Sequence, residues 1–402
     1  MNHHAEPPRR LVVPALALIS AFIAGAILIV LTDVEHLRRL GTDPAAALGG
    51  AFGGVLEGYG AMFSGAIGDP GRVVAAVQTG AANDIANAIR PITETLVSAT
   101  PFIFVGLGLA VSFHAGLFNL GAGGQFLIGG LGATITAILL DGHLPPALIL
   151  VAALAGGTIF GAAYGFVPGF LKARTGAHEV ITTLMLSSIA PEITIFAMSS
   201  GELTRSLASI ADVPLLFDLP AIRLDWGFFA ALLTAVVVSF MLFRTRLGFE
   251  LRATGFSRSA ARGAGMNPGR TTVLAMSLSG GLVGLGSAFF ALGPAGGLSG
   301  GPSGDMGYVS LALALIAGLR PSGVVLVAVL YGALTTGAKN MVIVTGIPLS
   351  LLVVIIAFAL MFVAAPVLIR SIWRIRPAGQ APELAPIDPV GRADDATGSR
   401  SR

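Results

Sequence analysis

Residues 11–31 form an apolar run without a single charged side chain, and runs of similar length recur as far as residue 370. Nothing else in the chain constrains its fold so strongly. About 20 apolar residues is the length of a helix that crosses the hydrocarbon core of a bilayer. In lipid every backbone N–H and C=O must find a partner inside the protein, which leaves helices or a closed barrel. These runs do not alternate with period two as barrel strands do. The expected fold is therefore an all-α integral membrane protein, a polytopic helix bundle. Charged residues make up only 11% of the chain, against about 25% in soluble domains, so a water-soluble fold has too little polar surface to cover it.

The sequence divides into a polar start (1–10), a membrane domain (11–370) and a polar, Pro-rich tail (371–402) expected to be disordered. Spans are expected at 11–31, 91–113, 126–140, 145–171, 179–198, 224–243, 271–293, 322–338 and 347–370. A shorter one lies at 308–319, giving about ten transmembrane helices with broken or re-entrant segments. Region 32–90 differs, mixing charges with small residues. Its stretch 45–68 is interrupted by Glu57 and several glycines and reads as interfacial or external; whether it crosses the membrane stays open. Residues 73–89 read as one amphipathic helix with Gln78, Asn83, Asp84 and Asn87 on its wet side. Pro91 then suits the first turn of the second span, with Glu94 near its N-terminus. The last apolar run, 347–370, reads as one span.

Segment 244–270 carries six arginines, at 244, 246, 252, 258, 262 and 270, against one acid, Glu250. A strongly positive segment between spans is held on the cytoplasmic side. With residue 1 inside, the chain returns inside at Lys172, at 244–270, near Arg320 and at 370–376, where the basic residues cluster. Both termini are then cytoplasmic. Within the segment, Ser257 is a good N-cap, and Gly263 and Gly265 lie where a helix over 257–264 would stop. Such a helix passes force from a soluble partner into the bilayer, or it is a basic loop that fixes orientation and touches anionic membrane lipid. The formal charge of +3 comes from loop arginines and does not suggest nucleic acid.

No catalytic set is present: no phosphate-binding GxxxxGK[ST], no HExxH, no GxSxG. The absence of cysteine excludes disulfides and thiolate chemistry. No metal or cofactor is expected, and no enzymatic activity. Glu192 is the one acid well inside an apolar run, unless its helix ends early and the carboxylate reaches water. Asn119 and Gln125 sit in a glycine-rich break between two spans. Broken helices expose backbone groups, which is tolerated only against protein or a water-filled cavity. Thr182, Thr183, Ser187 and Ser188 fall on the next-but-one span, where hydroxyls also serve to glue helices together. Taken with the break, Asn119, Gln125, Thr182, Thr183, Ser187 and Glu192 suggest a path for a neutral polar cargo.

GLFNLGAGGQ (116–125), EVITTLMLSSIA (179–190), AARGAG (260–265) and GDMGYVSLALALIAGLRPSGVVLVAVLYGALTTGA (304–338) occur in that order. With them, residues 11–370 resemble the permeases of bacterial ATP-binding-cassette (ABC) importers for branched-chain amino acids, ribose and nucleosides, most closely the simple-sugar/nucleoside branch. The long region before Pro91 also fits that branch. Two departures stand out. Gly123 replaces a usual Glu, and Ser187-Ser188 replace a frequent Asn-aromatic pair, so the cargo need not be the common one. The resemblance implies a permease in the bacterial plasma membrane that lacks its own ATPase. A separate cytoplasmic ABC ATPase would grip a coupling helix carrying Arg252, Ser257, Ala260, Ala261, Arg262 and Gly265. An external lipoprotein would deliver the solute, and a second permease subunit would complete a heterodimeric pore. Phe118 and Phe126 are candidates to stack on a nucleobase, with core or lipid packing as the plainer role. The alternatives are an ABC permease for branched-chain amino acids, an ion-coupled secondary transporter, or an intramembrane enzyme. The last two want intramembrane charge or a buried nucleophile, and neither is evident.

Overall fold

The computed structural model describes residues 9–33, 38, 41–199, 222–293 and 305–374. The polar start up to residue 8, most of the loop expected at 201–223, the loop 294–304 and the tail from 375 lie outside the described residues. In chain order the helices are α1 (Arg9–Thr32), α2 (Pro44–Ile67), α3 (Pro70–Thr79), α4 (Ala82–His114), α5 (Ala122–Leu140), α6 (Pro146–Thr175), α7 (Glu179–Met198) and α8 (Trp226–Arg244). After them come α9 (Arg246–Phe256), α10 (Arg258–Gly263), α11 (Pro268–Leu292), α12 (Asp305–Ile316), α13 (Pro321–Thr345), α14 (Leu349–Ala364) and α15 (Pro366–Ile372). Eight of these, α1, α4, α5, α6, α7, α8, α11 and α13, are long and apolar enough to cross a membrane. Shorter apolar helices lie at Met306–Ile316 and Ser350–Ala364. The chain is an all-α polytopic membrane protein.

Lipid tails are as apolar as leucine, so helices in a bilayer associate through close packing rather than water exclusion. The closest packing joins α6 to α11. Gly157, Gly161, Gly165 and Gly169 stand one turn apart on α6; the first three meet Gly280 and Gly284 of the antiparallel α11, and Gly169 meets its Met276 and Val273. A Cβ on Gly284 would lie inside the surface of the Gly157 carbonyl oxygen and 3.0 Å from the Cα of Gly161. Gly129 of α5 also abuts Gly284, so three backbones converge there. Beside them runs α4, whose Ile103, Phe104 and Leu107 are fully buried, packed by α8, α11 and α13. A second cluster joins α1, α2, α13 and α14 through Met62, Met341, Leu352 and Ile355.

The region before Pro91 departs from the expectation in two ways, at residues 73–89 and at Pro91. Residues 44–67 form one continuous helix, capped by Asp43, whose carboxylate accepts the Ala46 N–H at 3.1 Å. It packs on α13, with Gly58 against Met341, and the Asn340 amide donates to the Ala61 carbonyl at 2.7 Å. It is not among the eight helices above. The single amphipathic helix expected at 73–89 is two helices, because Gly80 adopts φ +65° and ends α3. Pro91 lies inside α4 rather than opening a span. Its missing N–H leaves the carbonyl of Asn87 unpaired within the helix, and Asn87 is exposed. Glu94 accordingly sits in mid-helix. It receives two hydrogen bonds from Arg223, at 2.8 and 2.6 Å, which tie the segment before α8 to α4. This pairing holds the Arg223 guanidinium above its usual pKa. Two residues on, Asp225 caps α8 by accepting the Gly227 N–H at 2.9 Å. Burial pushes its carboxyl up to about 6, against the lowering pull of those backbone N–H groups.

At the other end of the chain, the single span expected over 347–370 is broken. Ala365 leaves the helical region at φ −114°, ψ 67°, and Pro366, which has no N–H to donate, opens α15.

Candidate functional site

The break between α4 and α5 covers seven residues, 115–121. After His114 the chain turns at Gly116, φ +70°, where Gly255 of α9 presses so close that a side chain has no room. It then runs without helix to Gly121, and α5 starts with no side-chain cap of its own. A helix start leaves four N–H groups unpaired. Here neighbours supply part of the need: the Asn119 side chain accepts the Gly121 N–H at 3.0 Å, and the Ser187 hydroxyl on α7 accepts the Gly124 N–H at 3.1 Å. Thr183, also on α7, accepts the Leu120 N–H at 3.3 Å. The Asn119 amide in turn donates to Gln125 Oε1 and to the Ser279 hydroxyl of α11, both at 2.9 Å. Asn119, Gln125, Thr183 and Ser279 are all at most 1% exposed.

Three of the sequence candidates, Asn119, Gln125 and Thr183, are buried here in a hydrogen-bonded network that holds the broken start of α5 to α7 and α11. Ser279 belongs to it and sequence reading missed it, because a lone serine in a span carries no signal. Thr182 and Ser187 are half-buried, whereas Ser188 and Glu192 are exposed with Met185 and Ile189 on the opposite side of α7. Phe126 is a core residue, 2% exposed, and Phe118 packs edge-on against Phe113. Removing Gln125 takes away one of the two acceptors of the Asn119 amide, and a buried unsatisfied group costs about 1–3 kcal/mol. Gln125→Ala is therefore expected to lower the melting temperature by several degrees. An unchanged melting curve would take Gln125 out of this lock.

The arginine-rich segment places its residues unequally. Ser257 caps α10 by accepting the Ala260 N–H at 3.3 Å, and Gly265, φ +80°, ends the turn after it, as the sequence predicts. Ala260, Arg262 and Gly265 are exposed. Ala261 is not: at 3% exposure it seats α10 on the bundle. Arg252 folds back onto its own helix, donating to the Gly248 carbonyl at 3.4 Å with its guanidinium 5.4 Å from the Phe243 ring. It is half-buried there. Phe256, one residue before the cap, is 95% exposed and was missed. Lys172, in the last turn of α6, pairs with Glu179 at the head of α7. The Glu179 carbonyl accepts the Thr183 hydroxyl at 2.6 Å, so the arginine-rich end connects through α7 to the α5 break.

Residues 92–365 match the family described as branched-chain amino acid transport system / permease component. The chain is 34% identical to the guanosine ABC transporter permease NupP of Bacillus subtilis over 90% of this chain and 95% of that protein. It is 29% identical to the nucleoside ABC transporter permease NupB of Lactococcus lactis over 90% and 93%. The glucose ABC transporter permease TsgB13 of Haloferax volcanii is 28% identical over 67% and 75%. No solved structure matches the chain.

Proposed function

This chain belongs to the family of permease components of branched-chain amino acid transport systems, and from that premise we propose that it is the permease subunit of an ABC importer for a nucleoside. The observation that carries this reading is end-to-end similarity to guanosine and nucleoside permeases, covering 90% of the chain in each case. A related sugar is the second reading, favoured by the glucose permease TsgB13.

In this reading the chain sits in a bacterial plasma membrane with both termini in the cytoplasm, and α9 and α10 face the cytoplasm. A separate ATPase grips α10 at Ala260 and Arg262, with Ser257 and Gly265 fixing the ends of the helix. A second, different permease covers the free side of α7. That side carries Thr182, Ser188 and Glu192, and a carboxylate facing lipid is costly, so the path runs between α7 and the partner. An external lipoprotein delivers the solute. The Asn119–Gln125–Ser279 lock has one of two packings here; transport needs a second, favoured in turn by ATPase closure and by docking of the loaded lipoprotein.

The test is uptake in a strain lacking this chain, with labelled guanosine, other nucleosides, ribose, glucose and leucine offered in parallel. Loss of nucleoside uptake, restored by the gene, is expected. Loss confined to leucine would sink the cargo assignment, and transport by the purified chain alone in liposomes would sink the ABC mechanism.

A further inference from the structure

Between the end of α6 and the start of α11, roofed by α10, lies a cavity of about 570 Å³. Lys172, Arg258 and Arg262 line it, together with Asn267, Pro268 and Thr272, and no carboxylate does. Arg258 is aimed by a 3.2 Å hydrogen bond from its guanidinium to the buried Thr272 hydroxyl. Lys172 is answered by Glu179, while Arg262 makes no ion pair among the described residues. The first turn of the 25-residue α11 opens on the same space, adding the partial positive charge of a helix N-terminus. The cavity therefore holds about two unanswered positive charges, and its fitting ligand is an anion with several acceptor oxygens.

Depth selects the source of that anion. Lys172 is in the last turn of α6, and Thr272 is only four residues inside α11. The cavity thus lies where two spans leave the hydrocarbon, at the level of lipid headgroups. On α6, Phe170 lies about half a turn and Phe166 nearly two turns deeper than Lys172; they are 42% and 44% exposed, with the Arg174 guanidinium 5.8 Å from the Phe170 ring, and offer an acyl chain an apolar lane below a basic edge. We propose that this cavity binds the phosphate of an anionic phospholipid. The lipid would join α10 to α11 through Arg258, beside Lys172 of α6, and so set how firmly α10 is held to the glycine-packed pair. This goes beyond the transport reading and depends on neither the cargo nor the ATPase.

The test uses the full chain in its assembled transporter, reconstituted with a photoactivatable phosphatidylglycerol, and the delipidated chain in native mass spectrometry. Crosslinks are expected on peptides 166–174 and 258–272. The chain should retain phosphatidylglycerol at least about tenfold more tightly than phosphatidylcholine, since each basic residue near a membrane surface adds appreciably to anionic-lipid affinity. Arg258→Gln should remove most of that preference, and Arg258→Lys should keep part of it. If Arg258→Gln does not fold, the crosslink map of the unaltered chain decides alone. Equal retention of the two lipids, or crosslinks elsewhere, would overturn the proposal. So would displacement of phosphatidylglycerol by millimolar inorganic phosphate, which would mark a site for a soluble anion. Protein crosslinks from Arg258 to the ATPase in place of lipid would assign the cavity to that partner and overturn it equally.

Discussion

Gly284→Leu is expected to prevent the protein from accumulating in folded form. On α11, Gly284 faces the carbonyl of Gly157 and the Cα of Gly161, with Gly129 of α5 against it as well. No rotamer relieves the clash, because the offending atoms are backbone. Either α11 moves from α6 along its length or the helix distorts. Overpacking an ordinary core costs about 1–3 kcal/mol, occasionally more, and here the neighbours have no flexible side chain to give way. The displacement also draws Ser279 away from Asn119, opening the buried network at the start of α5. Against a total stability on the order of 10 kcal/mol, the combined loss is severe. Gly284→Ala should show a smaller fall in melting temperature, and Gly60→Leu, with nothing within 4 Å of its Cβ, almost none. Fluorescence-detected size-exclusion chromatography on the three variants reads the ranking directly. A Gly284→Leu variant eluting and melting like the parent would mean that α6 and α11 do not pack through their glycines.

The same glycines show what the sequence displays and what it hides. Gly157, Gly161, Gly165 and Gly169 recur every fourth residue, a small-xxx-small pattern that marks a close helix contact in membranes. The period is legible; the partner is not, because Gly280 and Gly284 lie more than a hundred residues away and nothing local ties the two sets together. Local chemistry, by contrast, reads well. The cap at Ser257 and the stop at Gly265 are formed as the residues suggest, since a cap depends on its own next three residues. Polar residues inside spans are the hard case. Asn119 and Gln125 stand out by type, yet whether such a pair faces a cavity or satisfies its neighbours is decided by Ser279 and Thr183 on other helices. Arg252 shows the same: the Phe243 ring against its guanidinium is nine residues back across a helix break.

Arg262→Glu is expected to reduce uptake to background, at least about a hundredfold, while leaving the chain inserted and folded. The two halves of that statement rest on different features. Stability should hardly change, because Arg262 is exposed and unpaired among the described residues. An acid in the last turn of a short helix costs only about 0.3–1 kcal/mol against the helix dipole. Transport should collapse because the reversed charge sits on the outward side of α10, the surface we assign to the ATPase, and like charges across a contact cost several kcal/mol. Ala260→Trp separates shape from charge. Ala260 is exposed, so tryptophan there leaves the bundle intact but keeps the partner from seating closely. Ala261→Trp is no substitute: Ala261 is buried at 3% exposure, and a large side chain there unseats α10, so lost uptake would report misfolding. Arg262→Lys, which keeps the charge, should retain most activity. Uptake in cells, membrane abundance and cargo-stimulated ATP hydrolysis in the reconstituted complex distinguish these outcomes. If Arg262→Glu and Ala260→Trp both transported normally at normal abundance, α10 would be no handle, and the ATPase would have to grip the permease elsewhere.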